Sequence, residues 1–188
     1  MRIKVVQELG GIYLDRDVSV VQPLNVFFKY EMTLNWDEGQ DLGTQIFLAH
    51  KNARFLLLWL NTFQHYDRNI WYFAGEYATK HILYKRPDLV HRVKEQFGAD
   101  GPVVCPKLYN TYYKDWQKEF YAIHMVIRGD EIKGGMAYWC FSKCGVYPKI
   151  LKFSEGVAKG LTNTFGEMTR ILFDFESKPR QLMGNYHG

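Results

Sequence analysis

Apolar positions fall in short runs over the first fifty residues and at three- and four-residue steps after them. The pattern predicts strands first and helices later. Ile3, Val6 and Leu9 lie near helical spacing, and Gly10-Gly11 predicts where that helix stops. Ile12 to Leu14 reads as a short buried strand. Val18 to Val21 reads as a second extended piece, closed before Pro23. Phe27-Phe28, Met32 to Leu34 and Gln45 to Leu48 are further strand candidates. Between them, Asp37-Glu38-Gly39-Gln40-Asp41 reads as a polar turn with Asp37 and Asp41 on the loop surface.

From Asn52 to Tyr66 the spacing is helical. It places Phe55, Leu58, Trp59 and Phe63 on one side, as a core stripe. Thr79 is expected to cap a helix running through Leu83. Pro87 suits the first turn of another helix over 88–97, ended by Gly98. That helix would turn Leu89, Val90, Val93 and Phe97 inward and His91 outward. Gly101-Pro102 predicts a loop, and a Tyr- and Trp-rich segment follows over 108–123. Gly134-Gly135, Gly145 and Pro148 predict loop or short hairpin structure over 130–150, and a last helix is expected over 157–173. The whole reads as a single domain of mixed α and β, without repeats or low-complexity tracts.

Composition narrows the function classes. Hydrophobic content of 47% and charged content of 23% suit a folded chain with one real core. The net charge of +4 comes from scattered Lys and Arg, so a nucleic-acid partner is disfavoured. Cys105, Cys140 and Cys144 lack the second pair that a zinc site needs. One disulfide with one thiol, and three buried thiols, are both compatible with their spacing. No signal-like opening and no apolar run long enough to cross a bilayer occurs, so no membrane segment is expected within these residues.

Asp15 and Asp17 carry the sharpest chemistry. Two carboxylates one residue apart, at the end of an apolar run, can converge on a hard cation that prefers oxygen ligands. Such a cation can neutralise a diphosphate. The competing reading is a solvated turn carrying two acids.

The stretch Gly10-Gly11-Ile12-Tyr13-Leu14-Asp15-Arg16-Asp17-Val18 resembles the GGxYxDxD signature of glycosyltransferases with a DXD sugar-binding region. These are the relatives of α-1,4-galactosyltransferase, α-1,4-N-acetylglucosaminyltransferase and the yeast initiating α-1,6-mannosyltransferase. Arg2 stands where the arginine of the family's Asp-x-x-Arg element stands. The segments Leu42-Gly43-Thr44-Gln45-Ile46-Phe47-Leu48-Ala49-His50-Lys51-Asn52 and Trp71-Tyr72-Phe73-Ala74-Gly75-Glu76 look like animal members. Asn163-Thr164-Phe165-Gly166-Glu167-Met168-Thr169-Arg170 is similar to an ending found in invertebrate members.

The resemblance implies an α/β fold of GT-A type, with residues 1–22 as the metal and donor region and 23–188 as the remainder with the acceptor-binding half. It implies a hexosyltransferase that takes a nucleotide sugar, expected to be a UDP-sugar, and a glycan or glycolipid acceptor, with retention of configuration. The implied cofactor is Mn²⁺ or Mg²⁺. The family's first nucleotide-binding strands would precede Met1, so the chain is expected to be truncated at its N-terminus and to act poorly or not at all alone. A full-length parent is expected to have one membrane anchor and a catalytic domain in the Golgi lumen.

By the same resemblance, Asp17 would contact the metal and Asp15 would meet metal, ribose or sugar hydroxyl. Arg2, Gly10, Gly11 and Tyr13 would belong to the donor site, with Arg2 otherwise an exposed terminal arginine. His124 has two readings, a core histidine or a late metal ligand, since neutral imidazole suits Mn²⁺. Arg128 could meet a phosphate. Trp71 and Tyr72 could stack on an acceptor sugar whose hydroxyl Glu76 positions, or be core. A phosphatase of haloacid-dehalogenase type also places Asp-x-Asp after an apolar strand. That reading has only Asp130-Glu131 for its later acidic pair and leaves Gly10-Gly11 and Arg2 unexplained.

Overall fold

The fold is seen in a computed structural model that describes residues 1–37, 39–70, 72–99, 101–125 and 155–177. Helix α1 (Arg2–Leu9) leads through Gly10 into β1 (Gly11–Leu14), and β2 (Val18–Val20) follows one turn later. Gly10 has φ 71°, and a Cβ there would stand 2.9 Å from the Lys51 backbone nitrogen, so the turn requires glycine. Next come β3 (Met32–Asn35), β4 (Ile46–Ala49) and α2 (Arg54–Thr62). A 3₁₀ turn over Phe63–His65 leads to α3 (Phe73–Ala78), which continues as a wider turn over Thr79–Leu83. Then follow β5 (His91–Val93), α4 (Gly101–Cys105), α5 (Trp116–Glu119), β6 (Ala122–His124), α6 (Glu155–Gly160) and α7 (Thr164–Ser177).

Four strands form one sheet in the order β1-β4-β3-β5. β4 runs antiparallel to both neighbours, with Gly11 opposite Ala49 and Met32 also opposite Ala49, while β3 and β5 are parallel. Parallel pairing needs a long crossover, and α2 and α3 lie in it. The inner strands β3 and β4 are buried along their whole length. In β4, Phe47 and Ala49 pack toward α1 and α2, while Ile46 and Leu48 pack with Phe27, Val93 and Phe97. β2 and β6 form a separate antiparallel pair with Val18 opposite His124 and Val20 opposite Ala122. β6 bridges two cores: Ala122 joins the Phe27–Phe97 group, and Ile123 joins a group built from Val104, Leu108, Trp116, Phe120, Phe165 and Met168.

The mixed α and β reading stands, and several expected elements change. β1 is an edge strand, and Ile12 is 40% exposed instead of buried. Phe27 closes a 3₁₀ turn, Leu24–Phe27, and is no strand residue. Leu58 on α2 and Phe63 in the turn after it are exposed, and Leu56 joins Phe55 and Trp59 inside. Thr79 lies within a continuous helical run. Its hydroxyl donates to the Gly75 carbonyl and accepts from the Leu42 N–H, both at 2.8 Å.

The helix expected over 88–97 is absent. A 3₁₀ turn over Pro87–Leu89 gives way to β5, and Glu95 and Gly98 take positive φ of 58° and 45°. Pairing with β3 overrides the local helical spacing, yet Leu89, Val93 and Phe97 are buried all the same. His91 therefore sits on a strand, its ring stacked 3.6 Å from that of Tyr30. Burial lowers its pKa from the ordinary value. Residues 101–105 are helical with Pro102 in the first turn, where a missing N–H costs nothing.

The last helix is two, because Asn163 accepts the Gly166 N–H on its side chain at 2.9 Å and starts α7 anew. Asp37 is buried, accepting from Asn35 Nδ2 at 3.1 Å and from the Glu95 N–H at 2.5 Å. Cys105 is buried. The expectations for Trp71, Arg128, Asp130-Glu131, Cys140, Cys144 and 130–150 fall outside the described residues. Among the described residues, no helix is long and apolar enough to cross a membrane.

Candidate metal centre and cleft

Asp15 ends the β1 edge of the large sheet, where its N–H donates to the Gln45 carbonyl at 2.9 Å. Two groups fix its carboxylate. Arg2 Nη1 lies 2.9 Å from Asp15 Oδ1 and donates also to the Thr44 carbonyl at 3.1 Å. Tyr13 donates its hydroxyl to the same Oδ1 at 2.6 Å. Residues 13 and 15 share one strand face, so tyrosine and aspartate meet without any bend. The Tyr13 ring stacks on Phe47 at 5.1 Å, and the Arg2 guanidinium lies over that ring at 4.8 Å. Burial, and then the hydrogen bond given to Asp15, push the Tyr13 pKa up to about 12. The phenol is therefore a neutral donor at physiological pH.

Asp17 lies at the start of β2. Its carbonyl accepts the Met125 N–H at 2.8 Å, which extends the β2–β6 pairing by one rung. That pairing brings His124 in from more than a hundred residues away. His124 Nε2 stands 3.3 Å from Asp17 Oδ2, and the imidazole is buried. One ligand atom from each of Asp15, Asp17 and His124 can be chosen so that all three lie within 4.8 Å of one another.

The donor set of two carboxylates and one imidazole fits a hard-to-borderline divalent cation such as Mn²⁺. His124 Nδ1 is buried without a hydrogen-bond partner, and Nε2 is the ring nitrogen that faces the Asp17 carboxylate. Nε2 is therefore the nitrogen that would meet a cation held between the two carboxylates.

A cleft of about 470 Å³ opens beside these groups. Arg2, Asp15, Thr44, Gln45 and His124 line one end. Leu60, Phe63, Tyr66, Ile70 and Phe73 line the other. Tyr72 also lines it, but its hydroxyl is engaged: it donates to the Leu42 carbonyl at 2.8 Å and accepts the Thr44 N–H at 2.9 Å. Burial raises the Tyr72 pKa. A Cβ at Gly75 would stand 2.1 Å from the Tyr72 ring, so glycine there lets the ring fold back under α3.

The sequence-predicted residues thus separate into groups. Arg2, Tyr13, Asp15, Asp17 and His124 come together. Tyr72 sits further along the same cleft. Glu76 pairs with Lys80 at 2.5 Å and is not among the cleft-lining residues. Gly10 and Gly11 line a different hollow, of about 440 Å³, with Phe28, Tyr30 and Lys51. Thr44, Gln45, Phe63 and Tyr66 belong to the cleft and were not singled out by sequence. Gln45 Oε1 is buried without a partner. Thr44 and Gln45 form a polar pair just before an inner strand, inside the 42–52 segment that carries part of the resemblance, and that was the signal for them.

Comparison with known proteins gives one limited likeness. Over 81 residues the chain is 28% identical to "Glucan organizing enzyme 1" of Cryptococcus neoformans var. grubii serotype A. The match covers 38% of this chain and 22% of the fungal protein, so it spans less than a quarter of that protein's length. No family model matches the chain, and no solved structure matches it.

Proposed function

We propose that this chain carries the metal-binding donor site of a glycosyltransferase of GT-A type, using a nucleotide sugar, with UDP-sugar favoured, and a glycan or glycolipid acceptor. One observation carries the reading. Asp15 and Asp17 of the DXD-like turn converge with His124, and Asp15 and His124 line a cleft large enough for a small-molecule substrate. The resemblance of residues 10–18 to the DXD signature supports it. So does the name of the fungal protein, which points to carbohydrate.

In this reading Asp17, Asp15 and His124 hold Mn²⁺ or Mg²⁺. When bound, the ion supplies Lewis-acid stabilisation of charge on a diphosphate leaving group. The chain's own residues do the rest. Arg2 and Tyr13 both bond Asp15 Oδ1 and hold its carboxylate oriented, leaving Oδ2 for the ion or a hydroxyl. Arg2 also ties α1 to the start of β4 through the Thr44 carbonyl, which fixes one wall of the polar end. Retention of configuration follows the α-linkage-forming enzymes that the sequence resembles. A Golgi-lumen setting for a longer parent belongs to the same proposal.

The test is Mn²⁺ titration of the whole chain, followed by titration with UDP. We expect Mn²⁺ binding that Asp17→Asn and His124→Ala each weaken more than about tenfold, and UDP binding that requires Mn²⁺. Equal Mn²⁺ affinity in wild type and both variants would sink the proposal.

A further inference from the structure

Buried backbone groups need partners, and the loop from Leu42 to Thr44, between β3 and β4, finds most of its partners on a distant helical run. Gly43 gives its N–H to the Asn35 carbonyl at 2.7 Å. Leu42 and Thr44 are buried, and their N–H groups go elsewhere. The Leu42 N–H donates to the Thr79 hydroxyl at 2.8 Å, and the Thr44 N–H to the Tyr72 hydroxyl at 2.9 Å. The Tyr72 hydroxyl donates in turn to the Leu42 carbonyl at 2.8 Å. Two side chains, one just before α3 and one just after it, thus clamp three backbone groups of the loop.

A fourth group of the loop faces the candidate metal centre. The Thr44 carbonyl accepts from Arg2 Nη1 at 3.1 Å, and the same Nη1 donates to Asp15 Oδ1 at 2.9 Å. One line of hydrogen bonds therefore runs from Tyr72 and Thr79, through the loop, to Arg2 and Asp15.

Packing alone does not account for the clamp. The Tyr72 ring occupies space that a Cβ at residue 75 would need, so the run is shaped around it. Thr79 uses its hydroxyl twice, toward the Gly75 carbonyl and the Leu42 N–H, and the helical run widens from Thr79 through Leu83. Widened turns of this kind are frequent at functional sites. Phenylalanine and valine would fill the same space without tethering anything. What these two side chains add is the hydroxyl.

We propose that Tyr72 and Thr79 are positioning residues: they fix the loop so that the Thr44 carbonyl holds Arg2, and Arg2 then holds Asp15. The consequence for metal binding rests on the donor-site reading.

The first measurement needs no metal. The rotation rate of the Arg2 guanidinium about Nε–Cζ is read by NMR exchange in the whole chain. We expect Tyr72→Phe and Thr79→Val each to raise that rate at least about twofold, which part of one hydrogen bond accounts for. Thr79→Ser keeps the hydroxyl and should keep the wild-type rate. Should Tyr72→Phe fail to fold, Thr79→Val carries the test. Leu108→Ala, in the separate core with Trp116 and Phe120, should lower the urea midpoint and leave the rate unchanged. The second measurement is a double-mutant cycle on Mn²⁺ affinity. Tyr72→Phe should weaken binding by about two- to fivefold alone and add nothing to Arg2→Ala.

An unchanged rotation rate in Tyr72→Phe and Thr79→Val, an equal rise in Leu108→Ala, or the same loss of Mn²⁺ affinity with and without Arg2 would overturn the proposal. A wild-type chain that binds no Mn²⁺ would sink the metal reading instead, and the rotation rates still decide whether Tyr72 and Thr79 position Arg2.

Discussion

Asp15 and Asp17 are two residues apart, yet they are held in different ways. Asp15 is fixed by its own neighbourhood: Tyr13 on the same strand and Arg2 on the helix just before it. Asp17 faces His124, which arrives on β6 only because β2 and β6 pair. One carboxylate is oriented by contacts spanning thirteen residues or fewer, the other by a contact spanning more than a hundred. The candidate metal site has a locally folded half and a half that exists only when the whole chain has closed. Loss of metal binding can therefore report a lost ligand or a lost pairing, and only paired measurements separate them.

The largest expected effect comes from breaking the distant half. Ile123 is fully buried, next to His124, in the core with Trp116 and Phe120. Ile123→Ala should cost about 2–5 kcal/mol in denaturant melts and lower Mn²⁺ affinity with it. Preserved affinity in a destabilised variant would show that β6 is held by more than this core.

A smaller effect is expected on the local half. Arg2→Ala removes one of two groups on Asp15 Oδ1 in a half-exposed setting. It should weaken Mn²⁺ binding by about two- to fivefold, less than Asp17→Asn, because Tyr13 still orients the carboxylate. A loss as large as that of Asp17→Asn would mean that the two halves are not independent.

Tyr13 sharpens the comparison through pH. Its pKa of about 12 in the folded chain lies above the ordinary 10.0, so the folded state keeps a proton that the unfolded state has lost. Stability should fall as pH rises from 10 toward 12. Tyr13→Phe should fall less steeply over that window, measured by urea midpoints at each pH, and an identical slope would remove Tyr13 as the cause. The smallest effect is remote from the site. Arg54 holds the Glu31 pKa below its ordinary value through a forked pair, so its contribution is present at pH 7 and lost as pH falls through the acid range. Glu31→Gln should lower Tm slightly at pH 7, and by progressively less as pH falls through the acid range.

Much of the site was legible early. Gly10-Gly11 marked the end of α1, the apolar run marked β1, and the Asp-x-Asp spacing marked the two carboxylates that the fold brings beside His124. His124 was legible only as one of two readings, because an imidazole inside Tyr121-Ala122-Ile123-His124 has the same pattern whether it is core or ligand. The helix expected over 88–97 failed for a related reason. Leu89, Val93 and Phe97 are spaced for a helix face, and the same three are buried by a turn, a strand and a bend. Periodicity reports which residues avoid water, not which backbone shape hides them.

The sequence by itself determined that this chain folds as mixed α and β, and that two acids sit after an apolar strand behind a helix-stopping pair of glycines. These follow from local sterics, burial preference and spacing of two residues on one strand. The tertiary structure alone decided that β1 is an edge, that β2 pairs with β6, and that His124 therefore faces Asp17. It also decided that the polar groups share one cleft with Phe63 and Tyr66. Those outcomes depend on closing long stretches of chain, whose entropy cost is met only by cores that no short window of sequence contains.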